Sequence, residues 1–132
     1  MPDRVLIDTS AFYALISTAD EFHDRATTRY NDLIDQRANM FTTSYVLVEC
    51  MALVHRRLGF AVLDNFVNSV RDVVTIIWMD PQNHWSAWDF MKDREGRGLS
   101  FVDCTTVVLA NSLKAKVFAF DGDFAREGLE VL

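Results

Sequence analysis

The sequence predicts an α/β fold: a single domain with a mostly parallel central sheet and helices on both faces. Short apolar runs typical of buried strands alternate with longer segments that have helical spacing, over a length of 132 residues. Parallel neighbouring strands need crossover connections, so this alternation favours a parallel sheet. The length suits one hydrophobic core, and we expect one domain over residues 1–132.

The individual elements follow from hydrophobic spacing and from helix caps. Strands are predicted at 5–7, 40–43, 73–79 and 117–120, with a terminal strand at 129–132. Helices are predicted at 11–16, 20–34, 44–54, 61–70 and 100–113. Another helix begins at Asp80-Pro81, where the acid is assigned to capping because proline suits the first helical turn.

Composition restricts the class of protein. A net charge of -6 argues against a passive nucleic-acid coat, whose affinity comes from Lys and Arg. It does not exclude a nuclease, because acids that hold divalent cations reverse the local charge. The sequence has no apolar run of bilayer length and no apolar core of a secretory signal, so we expect a cytoplasmic protein without a membrane segment. Cys50 and Cys104 are interpreted as core residues.

Asp8 is the first candidate site residue. It ends the apolar run Val5-Leu6-Ile7 and is followed by Thr9 and Ser10. Ligands of open α/β sheets bind outside the carboxyl ends of the strands, where this acid is predicted to lie. Taken alone, Asp8 or Ser10 is more typical of a helix cap.

Three further acids occur in comparable settings. Glu49 is the only charge in a strongly apolar helix before His55, and a lone buried carboxylate is costly unless it is paired or holds a metal. Asp103 follows Ser100 by three residues, which is equally typical of a capping box and of a metal ligand in the first turn. Asp121 and Asp123 follow the strand at 117–120, although Asp-Gly is also a common turn pair.

The segment 92–100 is the one locally basic, glycine-containing stretch. Gly96 and Gly98 match a phosphate-binding glycine loop only weakly, because the segment follows a helix and lacks the third glycine. Arg94 and Arg97 are candidates for contacts with a substrate backbone.

The predicted topology brings the acids together. Asp8 and Asp121 project from carboxyl ends of strands, Asp103 begins a helix, and Glu49 enters the same crevice from its own helix. Four neighbouring carboxylates repel one another unless a cation is present. An all-oxygen set favours Mg²⁺, with Mn²⁺ as an alternative.

These residues resemble the PIN-domain nucleases, and more narrowly the VapC-type ribonuclease toxins of toxin-antitoxin pairs. The resemblance covers essentially the whole chain and rests on four short motifs in order: Leu6-Ile7-Asp8-Thr9-Ser10, Thr43-Ser44 with Val48-Glu49, Leu99-Ser100-Phe101-Val102-Asp103, and Phe120-Asp121-Gly122-Asp123-Phe124. It implies an acidic quartet of Asp8, Glu49, Asp103 and Asp121, with Ser10 as a polar helper and Asp123 as an auxiliary acid.

The resemblance also implies a function: Mg²⁺-dependent hydrolysis of RNA phosphodiester bonds by an endoribonuclease. It implies a homodimer and a small antitoxin protein that blocks the acidic crevice. Two alternatives are a PIN-domain nuclease of RNA processing that is not a toxin, and a weakly catalytic module that binds RNA or protein. A haloacid dehalogenase-type phosphatase is discounted, because Ser10 occupies the position of its second aspartate.

Overall fold

The fold alternates strands and helices in the computed structural model, which describes residues 2–95 and 98–132. The strands are β1 (Arg4–Ile7), β2 (Asn39–Thr43), β3 (Thr75–Ile77) and β4 (Lys116–Phe118). The helices are α1 (Thr9–Ile16), α2 (His23–Asp35), α3 (Ser44–Leu58), α4 (Phe60–Val73), α5 (Pro81–Asp93), α6 (Phe101–Leu113) and α7 (Asp123–Arg126). The predicted alternation is therefore confirmed. In this part of the chain no helix is long and apolar enough to cross a membrane.

The sheet is parallel, with strand order β3-β2-β1-β4. The chain builds outward from β1 to β2 and β3, and then returns to place β4 on the other side of β1. Leu6 pairs with Phe41 of β2 on one side and with Val117 of β4 on the other. The reversal of strand order between β1 and β4 creates a crevice at the carboxyl ends of these two strands, where ligands bind in open α/β sheets.

Two hydrophobic cores lie on opposite faces of the sheet, as the alternation of side chains along a strand requires. Val5 and Ile7 belong to the core covered by α1, α2, α3 and α4, whereas Leu6 belongs to the core covered by α5, α6 and α7. Cys50 lies in the first core and Cys104 in the second, as predicted. Burial raises the pKa of the Cys50 thiol to about 12, so this side chain packs as a neutral apolar group.

Side-chain caps fix the start of four helices, α1, α3, α5 and α6. Asp8, Thr43, Asp80 and Ser100 each accept a hydrogen bond from a backbone N–H in the first turn of the following helix. The predicted capping role of Asp80 is confirmed, since its Oδ1 accepts from the Asn83 N–H at 2.8 Å. The turns that follow β1, β2 and β3, and the start of α6, thus have a geometry fixed by a side-chain cap, whereas α7 begins without one.

Three strands are shorter than the sequence pattern predicts, and the run at 117–120 gives only Lys116–Phe118. The apolar run at 73–79 gives only Thr75–Ile77, because α4 extends through Val73 and the Val74 N–H closes its last turn. The expected terminal strand at 129–132 is reduced to a single parallel bridge between Val131 and Val117. These residues lie at the two edges of the sheet, where each strand has one neighbour instead of two.

Candidate functional site

Asp8 lies at the centre of the candidate site, directly after β1. Its backbone N–H donates to the carbonyl oxygen of Phe118 at 3.0 Å, so the carboxyl ends of β1 and β4 are held together. Its side chain is only 5% exposed, and Oδ2 accepts from the Ser10 N–H at 3.1 Å and from the Ser10 hydroxyl at 2.8 Å. Asp8 is therefore both a helix cap and a fixed carboxylate inside the crevice.

Burial raises the pKa of Asp8 from 3.8 to about 6. The hydrogen bonds from Ser10 oppose this increase, and the negative charge of Asp103 adds to it. A carboxylate at this position is thus poorly solvated and lies close to another acid. Both conditions make a bound cation favourable.

Asp103 occupies the start of α6 in a complete capping box. The Ser100 hydroxyl accepts from the Asp103 N–H, and the Asp103 Oδ2 accepts from the Ser100 N–H, both at 3.1 Å. Burial raises the pKa of Asp103, with further increases from the charges of Asp121 and Glu49. The two interpretations of Asp103 are compatible, because the capping box orients a half-buried carboxylate that also lies among the other acids.

The last acidic motif is anchored to the first through Ser10. The Ser10 hydroxyl accepts from the Phe120 N–H at 3.0 Å while donating to Asp8. Asp121 then accepts from the Asp123 N–H at 2.9 Å, which forms a tight turn. Asp123 pairs with Arg126 at 2.8 Å, so part of its charge is neutralised on the side of α7. The charge of Asp121 also acts on Asp103 and raises its pKa.

Glu49 reaches the site from α3 and is held by Thr9. The Thr9 hydroxyl donates to Glu49 Oε1 at 2.7 Å, across 40 positions of sequence. The side chain of Glu49 is exposed, so the expectation of a costly buried carboxylate is wrong. Thr9 was not predicted to be a site residue, and its position beside Asp8 is the only signal in the sequence that could have indicated this role.

The four carboxylates share one crevice without forming a closed cluster. In addition to the larger effect of burial, the charge of Asp103 raises the pKa of Asp8, and the charges of Asp121 and Glu49 raise the pKa of Asp103. Within residues 2–95 and 98–132, no three acidic, histidine or cysteine side chains are close enough together to hold a metal ion as they stand. The available ligands are nevertheless all carboxylate oxygens whose negative charges repel one another. Such a set fits a hard divalent cation such as Mg²⁺ or Mn²⁺.

Of the two arginines predicted to contact substrate, Arg94 lies within the described residues and Arg97 lies outside them. The Arg94 Nε donates to Glu127 Oε1 at 2.6 Å, and its guanidinium lies 3.6 Å from the centroid of the Phe90 ring. These contacts join the end of α5 to the end of α7. A role for Arg94 in substrate binding stays a prediction.

The fold and the acids define a class: a parallel α/β protein with carboxylates from four separate segments near the crevice at the carboxyl ends of β1 and β4. The model of the PIN domain family matches residues 5–128 of this sequence. The chain therefore belongs to the PIN domain family.

Similar proteins of known sequence include two nucleases. The VapC ribonuclease of Archaeoglobus fulgidus is 29% identical over 124 residues, which cover 91% of this chain and 78% of that protein. The 23S rRNA-specific endonuclease VapC20 of Mycobacterium tuberculosis is 28% identical over 126 residues, which cover 94% of each chain.

Solved structures show the same fold. The crystal structure of Mycobacterium tuberculosis VapC20, a sarcin-ricin loop cleaving toxin, has a TM-score of 0.84 at 26% identity and covers 95% of both chains. VapBC2 from Rickettsia felis, bound to a DNA fragment from its promoter, has a TM-score of 0.75 at 15% identity, covering 98% of this chain and 97% of that one. At 15% identity, the similarity to the Rickettsia felis structure supports the fold only.

Proposed function

We propose that this protein is a divalent-metal-dependent endoribonuclease that hydrolyses RNA phosphodiester bonds. The observation that carries this proposal is that Asp8 lies at the crevice between β1 and β4 and feels the charge of Asp103, which in turn feels the charges of Asp121 and Glu49. Members of the PIN domain family are generally nucleases that depend on divalent metals, and the relatives described above are named as a ribonuclease and an rRNA endonuclease.

In this proposal Asp8, Asp103, Asp121 and Glu49 hold one or two Mg²⁺ or Mn²⁺ ions, with Asp123 as an auxiliary acid. When bound, such an ion lowers the pKa of a water, positions the phosphate and stabilises the leaving oxygen. Each of these four carboxylates accepts its own hydrogen bond from a neighbouring group. A patch of surface acids without a binding role would not need such orientation.

Hydrogen bonds within the chain orient three of the acids. Ser10 directs Asp8 into the crevice, Thr9 directs Glu49, and the capping box with Ser100 directs Asp103. Supporting hydrogen bonds of this kind fix the direction of ligand lone pairs and increase metal affinity. Exclusion of water around Asp8, which is 5% exposed, strengthens its attraction for a cation.

We further propose that the protein acts as the toxin of a toxin-antitoxin pair, as a cytoplasmic homodimer whose activity is blocked by an antitoxin protein. The names of the similar proteins support this role, since VapC20 is described as a toxin. Co-expression with the product of a small neighbouring gene should yield a complex that copurifies and does not cleave RNA. Size-exclusion chromatography with light scattering would test the dimer, and a monomeric mass would contradict it.

The central experiment measures RNA cleavage by purified protein, with Mg²⁺ or with EDTA. The probes are total RNA and ribosomal 23S rRNA, the latter because VapC20 is specific for it. Asp8→Asn and Asp103→Asn each remove one anionic ligand with little change in shape, and we expect activity to fall at least about 100-fold. Asp80→Asn is the matched control, because Asp80 is an exposed helix cap that follows β3, at the opposite edge of the sheet from β4.

The outcomes separate the proposed enzyme from a binding module. Cleavage that EDTA abolishes and Mg²⁺ restores, and that fails in the Asp8 and Asp103 variants but not in the Asp80 variant, supports the proposal. Full cleavage by Asp8→Asn would contradict the assignment of the site. RNA binding without cleavage under all these conditions would favour the weakly catalytic module instead.

A further inference from the structure

A group of three aromatic side chains borders the acidic crevice on the side of α1 and α2. This aromatic shelf consists of Tyr13, Phe22 and Phe120. The rings of Phe22 and Phe120 stack with centroids 4.8 Å apart and planes inclined by 4°. Phe120 directly precedes Asp121, so the shelf is joined covalently to the acidic site.

The shelf lines an open cavity that continues into the site. The cavity has a volume of about 510 Å³, and its walls also include Thr9, Ser10 and Asp121. This volume lies within the range of roughly 300–1,000 Å³ found for small-ligand sites. A group seated in the cavity would therefore lie beside Asp121 and next to Ser10, which holds Asp8.

Two arginines flank the aromatic rings. The guanidinium carbon of Arg25 lies 5.5 Å from the Phe22 ring centroid and 5.6 Å from that of Phe120, and Arg57 lies 5.5 Å from the centroid of Tyr13. Both arginines are exposed, and within residues 2–95 and 98–132 neither forms a salt bridge. They provide positive charge beside the cavity in a chain whose net charge is -6.

The interior of the cavity is less suitable for an anion than its margin, where the two arginines lie. The Asp20 side chain lines it, with its Oδ1 accepting from the Phe22 N–H at 2.9 Å, and Asp121 also lines it. A phosphate inside would meet two negative charges, whereas a flat neutral group could lie against the rings. The arginines at the margin are where phosphates would be stabilised.

We propose that the aromatic shelf is a stacking subsite for the base of a nucleotide adjoining the scissile phosphate, with Arg25 and Arg57 contacting neighbouring phosphates. This inference rests on the proposed ribonuclease function. Bases stack on aromatic side chains when they are unpaired, so the subsite selects single-stranded or looped RNA. The Phe22–Phe120 stack holds both rings in place before the base arrives, which limits the entropy lost on binding.

The test uses an RNA oligonucleotide that spans a cleavage site mapped with the wild-type protein. It is prepared intact and with the base removed from either nucleotide that flanks the scissile bond. Phe22→Leu keeps an apolar side chain but removes the ring. Phe60→Leu is the matched control, because Phe60 is an exposed phenylalanine outside the cavity. Tyr13→Leu is a second shelf variant in case Phe22→Leu does not fold.

Phe22→Leu should raise KM about five- to tenfold with little change in kcat, since one stacking contact is lost. Removal of one flanking base should raise KM of the wild-type protein by a similar factor, and should have little further effect on Phe22→Leu. This lack of additivity is the mark of a direct contact between ring and base. Phe60→Leu should behave as the wild-type protein with every RNA.

Equal KM values for both shelf variants and the control on intact RNA would overturn the subsite. Base removal that affects Phe22→Leu as strongly as the wild-type protein would also overturn it. In either case the wild-type protein still cleaves RNA, so the proposed function stands. Absence of any cleavage by the wild-type protein would instead overturn the proposed function and the subsite together.

Discussion

Replacing Asp8 by asparagine should stabilise the metal-free protein. Asp8 is 5% exposed, and its burial raises its pKa from 3.8 to about 6. At neutral pH the folded protein therefore carries a charge in a place that disfavours it. Asparagine keeps an oxygen that accepts the hydrogen bonds of Ser10 and is an equally good helix cap, so the substitution removes the charge without removing the cap.

The direction in which stability changes with pH follows from proton binding to Asp8. Between pH values of about 4 and 6 the folded state holds a proton on Asp8 that the unfolded state has released, so stability falls as the pH rises through this interval. Above about pH 6 the destabilisation is complete, and the difference between 3.8 and about 6 corresponds to about 3 kcal/mol. We expect Asp8→Asn to raise the free energy of unfolding by about 2–3 kcal/mol near neutral pH.

Urea denaturation in EDTA, followed by circular dichroism, measures this difference. The advantage of Asp8→Asn over wild type should shrink below about 1 kcal/mol near pH 4, because Asp8 is protonated in the folded state there and the unfolded state, with a pKa of 3.8, is only partly deprotonated. Asp80→Asn is again the matched control, because Asp80 caps α5 from an exposed position and should show no comparable gain. Added Mg²⁺ should stabilise the wild-type protein but stabilise Asp8→Asn much less.

Two results would refute this reasoning. A variant that is less stable than wild type at neutral pH would show that Asp8 contributes more through its hydrogen bonds than it costs through its charge. A gain of the same size at pH values of about 4 and 7 would show that the effect does not arise from titration of Asp8.

The supporting contacts give three further predictions. Thr9→Val removes the hydrogen bond to Glu49, and should lower RNA cleavage about tenfold with little change in urea midpoint. Ser10→Ala removes the acceptor of the Phe120 N–H and a donor to the first acid, and should lower the free energy of unfolding by about 1–3 kcal/mol. Arg94→Ala removes the ion pair that joins α5 to α7, and should cost about 1 kcal/mol. If Arg94→Ala instead raises the KM for RNA without lowering the free energy of unfolding, the result would support the predicted contact of Arg94 with substrate.

Much of the fold could be read from local spacing. The alternation of apolar runs and helical segments predicted a parallel sheet with helices on both faces, because each element's period and caps lie within a few neighbouring residues. The predicted strand lengths were less accurate at 73–79 and 129–132. An apolar run does not show how many neighbouring strands will pair with it. Pairing with a neighbouring strand decides whether such residues extend an edge strand.

The sequence by itself determined where acids follow strands and which residues cap helices, so Asp8, Asp103 and Asp121 could be named in advance. Only the tertiary structure decided which groups meet, because strand order places β4 beside β1 and brings distant segments into contact. The Thr9–Glu49 bond and the Phe22–Phe120 stack arise in this way. Neither pair has a local signal, since each partner obeys the period of its own element and the contact is created by the packing of the elements.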